Sequence, residues 1–259
     1  LTADLSPLLE LRQVSKAYRA GENAVSEVSV SFQRGKLTVL AGESGCGKTT
    51  TLKMMNRLED VSGGSILFDG MDIAQIDAVT LRRSMGWVIQ GDGLFPHFTV
   101  AENIAIIPKL LGWDPARTEL RIRELLDLVK LDRSAHGDRY PSELSGGQRQ
   151  RVGFARGLAG QPNLLLMDEP FSALDPITRD ALQQDFKDLQ SLLGFTAIMV
   201  THDMAEALIM ADEIVVMRDG RVVQTGTPTQ LLASPADSYV ERLLETPRRQ
   251  YRAISVLEP

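Results

Sequence analysis

Along this chain, short and almost uninterrupted apolar runs alternate with longer stretches in which apolar residues recur every three or four positions. A short apolar run bounded by polar residues reads as a strand buried on both faces, and the longer period reads as a helix laid against it. The alternation predicts parallel β units wrapped by helices, an α/β fold. Core strands are expected at Leu37–Ala41, Met85–Gln90, Asn163–Asp168, Thr196–Thr201 and Glu213–Met217. Asp219-Gly220, between Val215-Val216-Met217 and Arg221-Val222-Val223, predicts a hairpin at the far end of the sheet. Leu8–Val14 and Ala24–Phe32 add two strands, so part of the chain is expected to be antiparallel. Between Leu94 and Ala159 the pattern turns helical, and Pro115–Leu131 places Leu120, Leu125, Leu128 and Leu131 close to one face. That block reads as an inserted helical subdomain. Short helices are expected near Pro228–Ala233 and Pro235–Leu244, followed by a polar tail in which Arg248-Arg249-Gln250-Tyr251-Arg252 reads as disordered before it reads as a contact for anionic lipid or a membrane partner.

Composition narrows the class. With 259 residues, 43% of them apolar and 24% charged, the chain can bury a large core as one domain with a subdomain. A net charge of -6 argues against nucleic acid, which calls for clustered Lys and Arg, yet leaves room for a nucleotide in a small positive pocket. Cys46 is the sole cysteine, so no intrachain disulfide can form and a reducing compartment is expected. No basic segment followed by an apolar run occurs in Leu1–Glu10, and runs such as Leu164–Met167 fall far short of a span, so neither export nor membrane crossing is expected.

The strongest chemical signal is Gly42-Glu43-Ser44-Gly45-Cys46-Gly47-Lys48-Thr49-Thr50, between the strand ending at Ala41 and a helical stretch from Lys48 to Arg57. Glycines at 42, 45 and 47 let the backbone curl so that its N–H groups and the helix N-terminus point at an anion. Lys48 can then reach the β and γ phosphates, and the Thr49 hydroxyl can ligate Mg²⁺. A glycine-rich helix cap is the plainer alternative, and Cys46 reads as a small filler before it reads as a nucleophile. Leu164–Glu169 supplies a second part: an apolar strand ending in Asp168, the metal-side acid, and Glu169, which can address a water in line with the γ-phosphate. The alternative is a carboxylate pair that merely caps the turn to Pro170.

Leu144-Ser145-Gly146-Gly147-Gln148, followed by a helical pattern to Ala159, resembles the signature of ABC ATP-binding subunits. The rest of that family's set stands in order. Tyr18 resembles the adenine-stacking A-loop aromatic, Gln90 the Q-loop glutamine, Ser172-Ala173-Leu174-Asp175 the D-loop and His202 the H-switch. No Asn-Lys-x-Asp motif, protein-kinase motif set or arginine finger is present.

The resemblance, over about 8–244, implies a P-loop NTPase (RecA-like) parallel-sheet core with an antiparallel β subdomain and an inserted α-helical subdomain. Within one nucleotide-binding domain, the core would take about 8–90 and 161–225, the signature subdomain about 91–160, and the C-terminal helices about 226–259. It implies ATP and Mg²⁺ as cofactors, with metal contacts from Thr49, Gln90 and Asp168, catalytic roles for Glu169, His202 and Gln90, and nucleotide contacts from Tyr18 and Gly42–Thr50. It also implies a head-to-tail dimer in which Ser145, Gly146, Gly147, Gln148 and Asp175 reach the nucleotide of the opposite copy. Ser145 at a helix start, with its hydroxyl and the positive end of the dipole, could replace an arginine finger.

A lone cassette without a membrane segment resembles importer architecture, with separate permease subunits, a solute-binding protein and a place on the cytoplasmic face of the plasma membrane. Met55-Asn56-Arg57-Leu58, Gly93–Thr99, Ile107–Trp113 and Pro170–Pro176 resemble the glycine betaine, carnitine and choline uptake group. Gly91-Asp92 departs from that group, in which a glutamine is expected after Gln90, and the sequence ends without the paired regulatory domains that many relatives carry beyond the cassette, which puts osmotic or ionic-strength gating in doubt. Leu94, Phe95 and Phe98 are expected either to line a groove for the permease or to lie in the core. Arg149 and Arg151, interleaved with Gln148 and Gln150, read as a solvated helix face before a nucleic-acid patch. The competing classes are a soluble ABC protein of DNA repair or translation, which would carry tandem cassettes or long coiled-coil insertions, and a catalytically dead cassette, which would lack some of these residues.

Overall fold

The computed structural model describes residues 6–19, 22–91 and 93–255, with side chains through Gln250. Asp92, one of the expected departures from the uptake group, lies outside the described residues. In chain order come β1 (Leu9–Arg19), β2 (Glu22–Phe32), β3 (Leu37–Ala41), α1 (Lys48–Met55), β4 (Gly63–Phe68), β5 (Met71–Asp72), α2 (Ala78–Ser84) and β6 (Met85–Val88). The helical stretch holds α3 (Val100–Leu110), α4 (Pro115–Leu128), α5 (Arg133–His136) and α6 (Gly146–Leu158). Then follow β7 (Leu164–Asp168), α7 (Pro176–Leu193), β8 (Thr196–Thr201), α8 (Met204–Met210), β9 (Glu213–Arg218), β10 (Arg221–Gly226), α9 (Pro228–Ala233) and α10 (Ser238–Ser255).

The chain divides into two compact units, one from Leu1–Asp72 with Ile198–Pro259 and one from Ile73–Ala197, the division passing through β8. In the first, β2-β1-β4-β5 form an antiparallel sheet. In β1, Leu9 and Leu11 alternate with Glu10 and Arg12, but the next buried residue is Val14, so the pattern skips a position. A bulge absorbs the extra residue: Gln13 takes φ 50 and its N–H donates to Ser29 Oγ at 2.9 Å. Strand β3 is buried along its whole length and runs parallel to β9, which turns through Asp219-Gly220 into antiparallel β10. The expected hairpin is there.

The second unit pairs β6 with β7 in parallel, Met85 beside Leu164 and Val88 beside Met167. All five residues of β7 are buried, which is what an apolar run in a parallel sheet requires. Phe154, Phe171, Phe186 and Phe195 form a chain of tilted and edge-on ring contacts with centroids 5.2–6.4 Å apart. Side-chain caps start most of the helices around them: Asp77 for α2, Thr99 with Glu102 for α3, Asp114 for α4, Ser145 with Gln148 for α6 and Asp175 for α7.

The tail departs from expectation. Instead of a helix ending at Leu244 and disorder over Arg248–Arg252, α10 continues through Ser255, past Pro247. Arg248 donates to the carbonyl of Leu232 and so ties the helix to the end of α9, while its Glu, Arg and Gln residues favour helix. Among the described residues no helix is long and apolar enough to cross a membrane.

Candidate functional site

The phosphate loop is built where fully buried β3 ends and α1 begins. Gly42 takes φ 147, and a Cβ there would stand 2.2 Å from the carbonyl oxygen of Met217. Gly47 caps α1 with φ 101, and a Cβ there would meet the carbonyl of Ala24 at 2.5 Å. Both positions therefore exclude a side chain twice over, by dihedral angle and by space. The loop is stitched from outside: Gly220 N–H donates to the Cys46 carbonyl at 3.1 Å, and Ser26 N–H to the Gly220 carbonyl at 2.8 Å.

Lys48 is 5% exposed, and its ammonium donates to the carbonyls of Gly42 at 2.7 Å and Glu43 at 2.8 Å, with Cys46 Sγ at 3.6 Å. A buried cation is thus held inside the curl of the backbone. Cys46 is buried beside it, in keeping with its reading as a filler. Glu43, Ser44 and Gly45 are exposed, and Thr49 and Thr50 half-buried.

Sequence reasoning missed Tyr239, on α10 and 2% exposed. Its hydroxyl accepts from the Glu43 N–H at 3.2 Å and donates to the Met217 carbonyl at 3.1 Å. It lies 196 residues from Glu43, and no local motif marks it. The same unit carries Tyr18 on β1, 55% exposed with Lys16 Nζ 5.2 Å from its ring centre, and His202, exposed directly after β8.

In the second unit the acids stand at the end of β7. Asp168 is buried, and Glu169 follows with φ 44, a left-handed backbone that is uncommon outside glycine. Ser172 fixes that turn through its N–H at 3.3 Å and its hydroxyl at 3.0 Å, both donating to the Glu169 carbonyl. Because β6 and β7 are parallel neighbours, their C-terminal ends share an edge of the sheet. Gln90, two residues beyond β6, accordingly donates through Nε2 to Glu169 Oε2 at 3.3 Å. Among the described residues no three His, Cys, Asp or Glu side chains gather as a metal site.

Ser145 caps α6 reciprocally: its Oγ accepts from Gln148 N–H at 3.2 Å, and Gln148 Oε1 accepts from Ser145 N–H at 2.9 Å. Ser145 and Gly146 are exposed, and Gly147 is buried where a Cβ would meet Thr178 Cγ2 at 2.6 Å. Gly147 thus lets α6 pack against α7, whose cap Asp175 accepts from Thr178 N–H at 3.0 Å. The hydrogen bonds from Thr178 hold the Asp175 carboxyl below its usual range. The structure therefore brings Ser145–Gln148 and Asp175 onto adjacent helix starts.

Two expectations need correcting or dividing. Arg149 and Arg151 are not a solvated face: Arg149 donates to the Leu144 carbonyl at 2.7 Å, and Arg151 to the Val129 carbonyl at 3.0 Å and to Asp185 at 2.5 Å. Both are half-buried because carbonyls at the ends of neighbouring segments need donors. Leu94 is buried, whereas Phe95 is 44% exposed and meets the His97 ring edge-on and the Phe98 ring at a tilt. Buried Asn103 holds that loop by donating to the carbonyls of Phe95, Phe98 and Thr99 at 3.0–3.2 Å.

The family model described as ABC transporter matches residues 25–172. The chain is 52% identical over 237 residues to the glycine betaine/carnitine/choline transport ATP-binding protein of Bacillus subtilis, covering 92% of this chain and 62% of that protein. It is 47% identical over 249 residues to the glycine betaine uptake system ATP-binding protein of Escherichia coli, covering 96% and 80%. Its fold matches a part of an ABC transporter complex from Clostridium perfringens with a TM-score of 0.82 at 27% identity, covering 96% of this chain and 99% of that one. It matches a dimeric ATP-binding cassette bound to ADP and Pi with a TM-score of 0.75 at 30% identity, over 85% and 98%. The phosphate loop, the paired acids and the capped signature helix thus stand in a sequence and a fold shared with these proteins, and the chain belongs to the ABC transporter family of ATP-binding proteins.

Proposed function

We propose that this chain binds and hydrolyses ATP as the motor subunit of an importer for quaternary amines of the glycine betaine, carnitine and choline type. It would work as a head-to-tail pair at the cytoplasmic face of the plasma membrane, bound to separate permease subunits and served indirectly by a solute-binding protein. The observation that carries the reading is the phosphate loop, whose glycines exclude side chains and whose buried Lys48 opens a helix. Loop amides and the N-terminal end of α1 hold the triphosphate, and Lys48 gives up its carbonyl partners to it. Tyr18 stacks on the adenine.

Asp168, the Thr49 hydroxyl and the Gln90 amide oxygen are hard-oxygen donors of the kind that would hold Mg²⁺, an ion that keeps waters and phosphate oxygens rather than a cage of carboxylates. Held by these residues, Mg²⁺ would supply charge neutralisation at the phosphate oxygens. Glu169, oriented by Gln90, takes the proton of the attacking water, and His202 contacts the γ-phosphate. Ser145, Gly146, Gly147, Gln148 and Asp175 complete the site on the opposite copy. The exposed ring of Phe95 and its neighbour Phe98 form the face offered to the permease.

The cargo is inferred from the names of relatives, of which the chain spans about 62% to 80%. It is tested by the uptake of labelled glycine betaine, carnitine and choline in the source organism with and without this gene. Deletion is expected to abolish accumulation of at least one of them, restored by the wild-type chain. Unchanged accumulation of all three overturns the cargo assignment.

A further inference from the structure

Tyr239 is a buried polar group that the proposed chemistry does not use, yet it touches the phosphate loop. Its helix is anchored next to it: Asp237 accepts from the N–H groups of Tyr239 and Val240, each at 2.9 Å. From this fixed start the ring reaches under the loop, with the Arg218 guanidinium 5.2 Å from its centroid. The hydroxyl uses both of its capacities on backbone, accepting from Glu43 and donating to Met217. Those partners matter because the Met217 carbonyl is the group that leaves no room for a Cβ at position 42, and Glu43 is the next residue of the curl. Burial pushes the phenol up from its ordinary value, so it remains a proton donor at neutral pH.

We propose that Tyr239 is a positioning residue for nucleotide binding, its hydroxyl bolting the first turn of the phosphate loop to β9 and coupling that loop to the seating of α10. The inference rests on the reading of residues 42–50 as the triphosphate cradle. An amide cradle binds tightly only when it is already curled, because ordering it on binding would consume affinity. The Tyr239 hydroxyl supplies part of that order from a helix remote in sequence.

Tyr239→Phe keeps the ring and removes the bridge. In the full-length chain, ATP affinity by isothermal titration is expected to fall about threefold to tenfold, the worth of one hydrogen bond. Amide hydrogen exchange across residues 42–48 should quicken while exchange in β1 and β4 stays unchanged. In steady-state assays KM should rise with kcat little altered. Val240→Ala, at a fully buried position on the same helix, should lower the melting temperature without changing ATP affinity. Wild-type affinity and loop exchange in Tyr239→Phe would overturn the proposal, as would an equal loss of affinity in Val240→Ala, which would mean that packing alone matters. Undiminished ATP binding by Lys48→Ala would instead remove the cradle reading, and this inference with it.

Discussion

Glu169 joins backbone strain to proposed chemistry. A left-handed conformation at a non-glycine residue costs on the order of 1 kcal/mol and persists only where neighbours enforce it, here the two bonds from Ser172 to its carbonyl. The turn sets the carboxylate at hydrogen-bonding distance from Gln90. If Glu169 is the proton acceptor, Glu169→Gln preserves size and shape and removes only basicity. ATP binding should remain near wild type, a nucleotide-bound dimer should accumulate on gel filtration, and turnover should drop about 10²-fold or more. Turnover within twofold of wild type would place the base elsewhere. The acids were legible in the sequence because four apolar residues, Leu164–Met167, lead straight into them. The strained φ was not, since no composition rule puts glutamate in that region.

At the scale of elements, the reading succeeded where burial is symmetrical. Strands β3 and β8 have the expected ends, and every residue in them is buried, the threonines included. Strand β6 stops at Val88, two residues early, because Ile89 and Gln90 are exposed and leave the ladder. Strands β4 and β5 were missed: in β4 only Ile66 is fully buried and the strand opens with two glycines, while β5 is two residues long. The pairing of β4 to β1 is decided by distant chain, not by local pattern. Tyr239 escaped for the same reason.

Helix α6 offers a test that separates folding from chemistry, because Ser145 is both a cap and a proposed phosphate contact. Ser145→Asp keeps the cap, since aspartate serves that position about as well as serine, so stability should stay within about 0.5 kcal/mol in urea melts. The same change sets a carboxylate against the nucleotide of the opposite copy, and like charges in a closed site repel strongly. Turnover is expected to fall at least about a hundredfold. A folded Ser145→Asp variant with wild-type turnover would leave Ser145 a cap and nothing more.

At the scale of the whole molecule, the γ-phosphate sets the demand. Phosphoryl transfer needs positive character around the γ-phosphate beyond a single lysine and a metal ion, and other P-loop proteins obtain it from an arginine finger. The arginines beside the signature are committed elsewhere, Arg149 to Leu144 and Arg151 to Val129 and Asp185. The exposed start of α6 carries the complementary feature, a hydroxyl and a helix dipole facing solvent. Under the proposed head-to-tail pairing, donors on one surface and a cradle that needs them would be satisfied together, each copy completing the site of the other. Hydrolysis should then be second order in protein at low concentration. Below the dimer dissociation constant, halving the chain concentration should cut total turnover about fourfold, and above it about twofold. Mixing Lys48→Ala with Ser145→Asp, each inactive alone, should restore activity to at most one site per mixed dimer. Turnover strictly proportional to concentration down to demonstrably monomeric dilution would show that a single chain suffices, and the shared-site mechanism would fall.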